Sequence, residues 1–246
     1  MPFRLSPTSL FAVLQPWGEV NEPIHRRVAQ IADAAAGQEA LCVGCGAGAA
    51  VRWWARKYQT HVEGVDPDAR AIENAERIAR ESGLAGLVSF QSAPATDLPH
   101  EPQVFDITLV EMLHLLGEDS GAVVREAARV ARPMSTVIAI VPFWLDTPDK
   151  EDARILASFG LVPHVLVEWK GRFRDAGVVE LTVEDAAKDA RWISGGWLGI
   201  VIRAWRAAGW NGVRSIFSRE FRVLRGLALR RILGLSIIKG TRWPHP

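Results

Sequence analysis

The stretch Leu41-Cys42-Val43-Gly44-Cys45-Gly46-Ala47-Gly48 decides the fold of this chain of 246 residues. Its apolar start indicates a short strand over 40–43, and its glycines indicate a tight turn before a helix over 49–57. Glycines let the backbone of such a turn approach a ligand closely, because no Cβ atom stands in the way. The helix that follows offers free N–H groups and the positive end of its dipole. The stretch therefore predicts a ligand site. Because Gly44-x-Gly46-x-x-Ala49 also fits a dinucleotide pattern, the stretch alone does not identify the ligand.

Asp66 follows the second predicted strand, over 61–65, and lies 22 residues after Gly44. A carboxylate in this place can accept hydrogen bonds from both ribose hydroxyls of a ligand that contains adenosine. NAD and S-adenosylmethionine share that ribose, so Asp66 does not separate them. Because Pro67 comes next, Asp66 can also be the N-terminal cap of the following helix. Both roles can hold together.

Predicted strands alternate with predicted helices along most of the chain. The other strands are predicted over 88–90, 105–110, 136–141, 178–183 and 234–240, and the helices over 23–37, 49–57, 69–82, 121–131, 151–159, 163–176, 197–208 and 213–233. Strands separated by helices imply a parallel, doubly wound sheet. The expected fold class is therefore α/β.

Five motifs in order and spacing across about residues 25–185 resemble those of the class I S-adenosylmethionine-dependent methyltransferases, among them the quinone- and sterol-methyltransferase-like enzymes. The motifs are the turn 41–48, Gly64-Val65-Asp66-Pro67-Asp68, Asp97-Leu98-Pro99, Phe105-Asp106-Ile107-Thr108-Leu109 and Glu126-Ala127-Ala128-Arg129-Val130-Ala131-Arg132-Pro133. The resemblance implies a Rossmann-like, seven-stranded sheet whose last strand is antiparallel and inserted between strands five and six. The strand predicted over 234–240 fits that place.

The resemblance also implies a set of contacts with an S-adenosyl-L-methionine cofactor. The glycine turn would line its methionine and ribose end, and Asp66 would bind the ribose hydroxyls. The implied cofactor-binding residues are Gly44, Cys45, Gly46 and Gly48 in the turn, Asp66 and Pro67 after strand two, Ala95 and Thr96 at the adenine edge, and Glu111 and Met112 beside the methyl group. No metal site is predicted.

Three positions depart from the pattern that the resemblance implies. Cys42 stands where strand one often has an acid, which removes a charge from the methionine end of the site. Pro94 stands where an acid often precedes the adenine contact, and Met134-Ser135 replaces a usual pair of glycines. Backbone contacts with the cofactor would survive these changes.

Glu111, His114 and His25 are the candidate general bases. A base is needed only where the methyl acceptor carries a proton, since methyl transfer from a sulfonium is an in-line displacement. Glu111 follows strand four at the carboxyl edge of the sheet, where ligands bind in open α/β folds. It can equally be a solvated residue or the partner of the cofactor ammonium, and His114 can be a surface histidine. His25 lies near a predicted lid.

The chain has only two cysteines, which excludes a secreted scaffold held by disulfides. Cys42 and Cys45 have the C-x-x-C spacing of redox motifs, but glycines flank Cys45 on both sides. We interpret them as a buried strand residue and a turn residue. The sequence has neither a signal peptide nor an apolar run of about 18 residues, so a cytoplasmic protein is expected.

The formal net charge of +1 conceals an acidic body and a basic tail. From Arg191 onward there are eleven Lys and Arg residues and one acid, Glu220. The helix predicted over 213–233 sets most of its arginines opposite an apolar stripe. This pattern is typical of a solvated face over buried residues, and also of peripheral contact with an anionic membrane. Nucleic-acid binding is not expected, because no recognised motif accompanies the charge.

Four segments are expected: an N-terminal lid segment over 1–24, a methyltransferase core over 25–187, a helical lid insertion over 188–234, and a closing strand and tail over 235–246. The insertion contains Trp192, Trp197, Trp205 and Trp210, which Trp17, Phe143 and Trp144 could join around a pocket. Such a pocket suggests an apolar or aromatic acceptor, although aromatic clusters are more often plain core. Additions of this kind carry substrate specificity, which the sheet itself does not.

The leading hypothesis is therefore methyl transfer to a small, apolar or aromatic molecule such as a quinone, terpenoid, polyketide or lipid. One alternative is an NAD(P)-dependent oxidoreductase, which would need a catalytic tyrosine with a lysine. The single tyrosine, Tyr58, lies just past the helix after strand one and is poorly placed for that role. Another alternative is a non-catalytic, membrane-associated binding protein of the same fold. The sequence does not predict an oligomeric state.

Overall fold

A computed structural model describes residues 20–111, 119–158, 160–186, 200–202, 204–205, 209–210, 213–214 and 216–244. The helices with defined bounds are α1 (Glu22–Ile31), α2 (Ala49–Tyr58), α3 (Ala69–Glu81), α4 (Ser120–Val130), α5 (Lys150–Ser158), α6 (Leu166–Asp175) and α7 (Arg219–Leu229). The strands are β1 (Glu39–Val43), β2 (His61–Asp66), β3 (Val88–Ser92), β4 (Phe105–Val110), β5 (Ala131–Trp144), β6 (His164–Val165), β7 (Val178–Asp185) and β8 (Leu233–Arg242).

The strands form one sheet in the order β3-β2-β1-β4-β5-β8-β7. Neighbours among β1 to β5 are parallel, whereas β8 runs antiparallel to both β5 and β7. The last strand is thus inserted between two earlier ones, and the predicted doubly wound sheet of seven strands is confirmed. The two-residue β6, which pairs with the end of β5, is an addition that the sequence pattern missed.

Apolar side chains cover both faces of the sheet, as a mostly parallel sheet requires. One buried cluster joins the sheet to α1, α2 and α3, and another joins it to α4 and α6. A third cluster joins α5 to α7 and includes Ile200, Ala204 and Ile216 from the predicted insertion. The described part of the insertion therefore packs on α5 and beside Trp144 and Leu233, where β5 and β8 pair.

The carboxyl ends of β1, β2 and β4 lie at the same edge of the sheet, because Val43 is in register with both Val65 and Val110. Gly44 and Glu111 directly follow two of these strands, and Asp66 ends the third. The fold therefore brings together three positions that are far apart in the sequence. This edge is where ligands bind in open α/β sheets.

The basic helix was predicted over 213–233, but α7 starts only at Arg219 and ends at Leu229. The side chain of Ser218 caps it by accepting a hydrogen bond from the backbone N–H of Phe221 at 3.1 Å. Beyond its end, Arg231 has a left-handed φ of 57°, and β8 begins at Leu233, before the predicted residue 234. Within the described residues, no helix is long and apolar enough to cross a membrane.

β5 is longer than the strand predicted over 136–141, because two prolines within it do not end the pairing. Pro133 lies where β5 shifts its register against β4, and irregularities of this kind tolerate proline. Pro142 is in register with Leu235 of β8, and β6 pairs beside it. The helix predicted over 163–176 likewise begins later, at Leu166, because β6 takes its first residues.

Candidate functional site

The glycine turn connects β1 to α2 and is fixed to β2. Its first two N–H groups donate to the carbonyl oxygen of Val65 at 2.8 and 3.1 Å. Gly44, Gly46 and Gly48 have φ values of 79°, 52° and 72°, which residues with a Cβ atom rarely adopt. A Cβ atom on Gly46 would meet no atom within 4 Å, whereas one on Gly48 would lie 2.4 Å from the ring of Phe90. Gly48 is therefore required by packing, and Gly46 borders open space.

Asp66 holds the turn against the start of the next loop. Its Oδ2 atom accepts the backbone N–H of Gly46 at 2.8 Å, and its Oδ1 atom accepts the backbone N–H of Asp68 at 3.0 Å. The cap of α3 is Asp68, whose carboxylate accepts from the N–H groups of Arg70 and Ala71 at 3.0 and 3.4 Å. The interpretation of Asp66 as the helix cap is therefore wrong. Its carboxylate faces the glycine turn instead.

Glu111 forms a polar cluster with residues of two other elements. Its backbone N–H donates to the carbonyl oxygen of Val43 at 2.8 Å, which fixes it beside the end of β1. Its Oε1 atom lies 3.2 Å from Nε2 of His25 in α1 and 3.7 Å from Sγ of Cys42 in β1. The Glu111 side chain is 13% exposed and the His25 side chain 2%. Two of the three predicted bases are thus in direct contact, which the sequence did not indicate.

Burial favours the neutral form of both groups. Desolvation raises the pKa of Glu111 to about 7, with the Cys42 hydrogen bond lowering it and the charge of Asp66 raising it. Desolvation lowers the pKa of His25 to about 4. At neutral pH His25 is therefore uncharged, and Glu111 is divided between its neutral and ionised forms. Within the described part of the chain, Nδ1 of His25 has no hydrogen-bond partner.

Cys42 and Cys45 are free and buried. Burial raises the pKa of both thiols well above the usual value, and nearby carboxylates raise it further. Because the thiolate is the reactive form of cysteine, this environment does not support a redox or nucleophilic role. Both residues pack in the core, as a strand residue and a turn residue would.

Two residues of α4 hold the segment 93–100, which contains the predicted adenine-edge residues. The Glu126 carboxylate accepts the backbone N–H of Leu98 at 2.8 Å. The Arg129 guanidinium donates to the carbonyl oxygens of Leu98 and His100 at 2.9 and 2.7 Å, and to Glu126 itself at 2.7 Å. Both residues lie in the motif Glu126–Pro133, but no role was predicted for them. Their spacing of three, which places them on one helix face, was the available signal.

Several predicted site residues fall outside this arrangement. Met112 and His114 lie outside the described residues, as do Trp17, Trp192 and Trp197. Of the other predicted pocket aromatics, Phe143 is buried, Trp144 half-buried, and Trp205 and Trp210 exposed. Pro67 and Thr96 are exposed, and Ala95 is half-buried. Among the described residues, no three side chains of the metal-binding types form a cluster.

Comparisons with known proteins agree with the geometry. The profile of the methyltransferase domain family matches residues 40–134. Methyltransferase GfsG from Streptomyces halstedii is 37% identical over 122 residues, a match covering 49% of this chain and 43% of that protein. The chain thus spans about half the length of the curated relatives it matches.

Two solved structures show the same fold. Geranyl diphosphate C-methyltransferase from Streptomyces coelicolor A3(2), in complex with Mg²⁺, geranyl diphosphate and S-adenosyl-L-homocysteine, has a TM-score of 0.72 at 18% identity, over 90% of this chain and 77% of that one. The [4+2]-cyclase SpnF has a TM-score of 0.72 at 19% identity, over 91% and 82%. One fold thus carries different reactions, so the fold alone does not give the chemistry. The chain is thus similar to methyltransferases over residues 40–134, and its sheet has the fold of these S-adenosylmethionine-dependent enzymes.

Proposed function

We propose that this chain transfers the methyl group of S-adenosyl-L-methionine to a small, apolar or aromatic acceptor. The observation that carries the proposal is the Asp66 carboxylate, which is held by one backbone N–H on each oxygen. A carboxylate has about four acceptor sites, so each oxygen keeps one for a ligand. Two free sites, side by side against a glycine turn, match the two hydroxyls of a ribose.

The surroundings of Asp66 fit the rest of this cofactor. Gly46 borders open space beside the N-terminal end of α2, where backbone N–H groups and the helix dipole favour a carboxylate. The side chain of Cys45 points toward Gly64, so only its backbone is free to contact a ligand. The proposed contacts are those predicted from the sequence: Gly44, Cys45, Gly46, Gly48, Asp66, Pro67, Ala95, Thr96, Glu111 and Met112.

The bound cofactor would supply the electrophilic methyl group. The chain contributes binding and alignment, because the turn and Asp66 are fixed by hydrogen bonds before any ligand arrives. His114 remains the predicted base for acceptors that carry a proton. For Glu111, which was predicted both as a base and as a cofactor contact, we favour the contact with the cofactor.

An apolar acceptor is supported by the exposed side chains of the predicted insertion. Ile202, Trp205, Trp210 and Phe217 are 44%, 56%, 75% and 58% exposed within one short segment. Large exposed apolar side chains that are close in the sequence are one signal of an interaction site. The similar C-methyltransferase was solved with geranyl diphosphate, whose hydrocarbon chain is apolar. The exposed apolar side chains and the arginines of this segment also fit peripheral attachment to an anionic membrane.

The position of Tyr58 does not fit the catalytic tyrosine that an NAD(P)-dependent oxidoreductase would need. The tyrosine is the last residue of α2, and a helix of ten residues places it about 14 Å from the turn at the other end. Its ring packs against Trp53 and Trp54, with centroids 5.6 and 6.1 Å apart. The phenol is therefore part of the helix packing and not of the cofactor edge.

Calorimetric titration with S-adenosylhomocysteine and with NADH tests the proposal. We expect S-adenosylhomocysteine to bind and Asp66→Ala to abolish that binding, while NADH gives no heat. Asp68→Asn, which keeps a cap on α3, is the matched control and should bind normally. Binding of NADH alone would refute the proposal.

A screen of apolar metabolites with methyl-labelled cofactor would then identify the acceptor. Label should appear in an organic-soluble product and should be absent with Asp66→Ala. Sedimentation with anionic vesicles tests the membrane alternative, which predicts binding that is lost when the arginines between Arg214 and Arg231 are replaced by glutamine. A protein that binds vesicles but not S-adenosylhomocysteine would favour the non-catalytic alternative.

A further inference from the structure

Half of the exposed large apolar side chains lie in one part of the chain. Ten are exposed among the described residues, and five of these lie between residues 202 and 229. Single exposed apolar side chains are ordinary, whereas several in one region are a signal of an interaction surface. The inner side of α7 is buried in the cluster that it shares with α5, so the helix does not need its outer side for packing. Leu229, on that outer side, is nevertheless apolar and 60% exposed.

The outer side of α7 combines a cation with apolar surface. Arg222, Gly226 and Leu229 share this side, because spacings of four and seven residues place them on one helix face. Arg222 is exposed, and a Cβ atom on Gly226 would meet no atom within 4 Å. Phe217, which is 58% exposed, comes directly before the cap residue Ser218. The helix therefore presents a surface that a flat partner can approach closely.

Two arginines at the ends of α7 bind to α5. Nη2 of Arg219 lies 3.0 Å from Oε1 of Glu151, and Nη2 of Arg230 lies 2.8 Å from Oδ2 of Asp152. Both acids belong to the first turn of α5. These ion pairs help to fix the orientation of α7 on α5, and they balance the charges of both arginines.

Three other arginines keep an unbalanced charge. Arg214, Arg222 and Arg231 are exposed, and none of them forms an ion pair within the described part of the chain. Nε of Arg222 donates to the backbone carbonyl oxygen of Ser218 at 3.4 Å, which leaves its charge uncompensated. Glu220 is the single acid between residues 191 and 246. The surface around α7 therefore favours an anionic partner.

An anionic membrane fits both properties of this surface. Arginines bind lipid phosphates, and aromatic and aliphatic side chains enter the boundary between headgroups and acyl chains. A nucleic acid would engage the arginines but leave Leu229 without a partner, since its backbone offers phosphates. A second copy of the chain would bring like charges together across a twofold interface. The charges and the apolar side chains together therefore favour a lipid surface.

We propose that α7 docks on an anionic membrane. Its docking face consists of Phe217, Arg222, Gly226 and Leu229, flanked in the sequence by Arg214 and Arg231. The chain continues from α7 into β8, whose first residue, Leu233, pairs with Trp144 at the carboxyl end of β5. The end of α7 therefore lies at the edge of the sheet that carries the candidate site. The inference goes beyond the proposed function and does not depend on it, because docking requires no cofactor.

Sedimentation with two kinds of vesicle tests the proposal. The full chain should bind vesicles of phosphatidylcholine with phosphatidylglycerol, and it should bind pure phosphatidylcholine far more weakly. Replacing Arg214, Arg222 and Arg231 together by glutamine should weaken binding about 100-fold, at about fivefold for each arginine. Arg222→Gln alone should weaken it about fivefold. The matched control is Arg56→Gln, which removes an exposed arginine of α2 and should leave binding unchanged.

Variants of Gly226 change the charge of the docking face without removing a side chain from it. Gly226→Lys should strengthen binding to the anionic vesicles about fivefold, and Gly226→Glu should weaken it by a similar factor. Both new side chains have room, and both residues favour a helix more than glycine does, so neither variant should unfold the protein. Equal binding of the two variants would overturn the proposal.

The apolar part of the docking face separates a membrane from other anionic partners. Leu229→Ser should weaken vesicle binding about tenfold, because less apolar surface then leaves water at the membrane. Its thermal unfolding should match that of the wild type, since the side chain is exposed. A wild-type chain that does not bind anionic vesicles would overturn the proposal, as would unchanged vesicle binding in Leu229→Ser. Tighter binding to duplex DNA than to the vesicles at the same salt concentration would assign the face to a nucleic acid instead. A dimer that Leu229→Ser dissociates would assign it to a second copy of the chain, and either result would equally overturn the proposal.

Discussion

Gly48→Ala should destabilise the protein strongly, because the new Cβ atom has no room. It would lie 2.4 and 2.6 Å from two ring carbons of Phe90 in β3, and 3.1 Å from Cβ of Ala75 in α3. Phe90 belongs to the sheet and Ala75 to a helix that packs on it, so neither neighbour lies on a free surface. The backbone adds a second penalty, since Gly48 has a φ of 72°.

The two penalties can be estimated separately. A residue with a Cβ atom in the left-handed region costs about 1–2 kcal/mol. Forcing extra atoms into a packed core costs about 1–3 kcal/mol more. Gly48→Ala should therefore lower the free energy of unfolding by about 2–5 kcal/mol. Gly37→Ala is the matched control, because Gly37 has a φ of 80° but open space around its Cβ position. It should show the first penalty only.

Urea unfolding followed by circular dichroism measures both variants. Phe90→Leu should couple to Gly48→Ala and recover part of the steric term in a double-mutant cycle, while leaving Gly37→Ala unaffected. The reasoning is refuted if Gly48→Ala costs no more than Gly37→Ala, or if Phe90→Leu gives no coupling.

Other predictions concern the carboxyl groups and the loop they hold. Asp68→Ala should remove the cap of α3 and lower the free energy of unfolding by about 1 kcal/mol in urea, whereas Asp68→Asn should not. Arg129→Lys should weaken the hydrogen bonds to the carbonyl oxygens of Leu98 and His100. Amide hydrogen exchange should then become faster in residues 95–100, while exchange in β1 stays the same. Glu111→Gln should alter the pH dependence of stability. The raised pKa of Glu111 means that the wild type loses stability as pH rises from 4.5 to about 7, by about 3 kcal/mol at about 1.4 kcal/mol per unit, and the glutamine variant should lack that loss. His25 should have the opposite effect on the pH dependence of stability. Its lowered pKa stabilises the folded protein at neutral pH, and this stabilisation is lost as pH falls from 6.5 through about 4. Acid unfolding of His25→Ala should not show this loss.

The central elements of the fold were predictable because their signals are local. β4 has the predicted bounds, because four of its six residues are apolar and buried, as is typical of a strand that is covered on both faces. The start of α7 and the length of β5 depend on partners that are distant in the sequence. Residues 142–144 become strand because β8 pairs with all three, and β6 pairs with Phe143 and Trp144. A pattern read along the chain does not contain that pairing.

The candidate site likewise has one part that the sequence predicts and one part that depends on distant packing. The glycine turn and Asp66 belong to one βαβ unit, so their spacing alone predicts that they meet. The contact between His25 and Glu111 joins α1 to the end of β4, and only the packing of α1 on the sheet brings it about. The capping role of Asp68 was assigned to Asp66 instead, because both carboxylates flank Pro67 and differ in register by two residues.

The position of β8 has a consequence for how the chain is made. Thr136 pairs with Thr241, and Trp144 pairs with Leu233. During synthesis, β5 therefore leaves the ribosome long before its partner β8. Until then both β5 and β7 present open edges, which are templates for pairing with other chains. Pairings this distant also form slowly. A nascent chain should therefore complete its glycine turn and first four strands early, yet depend on chaperones to shield the unfinished half of its sheet.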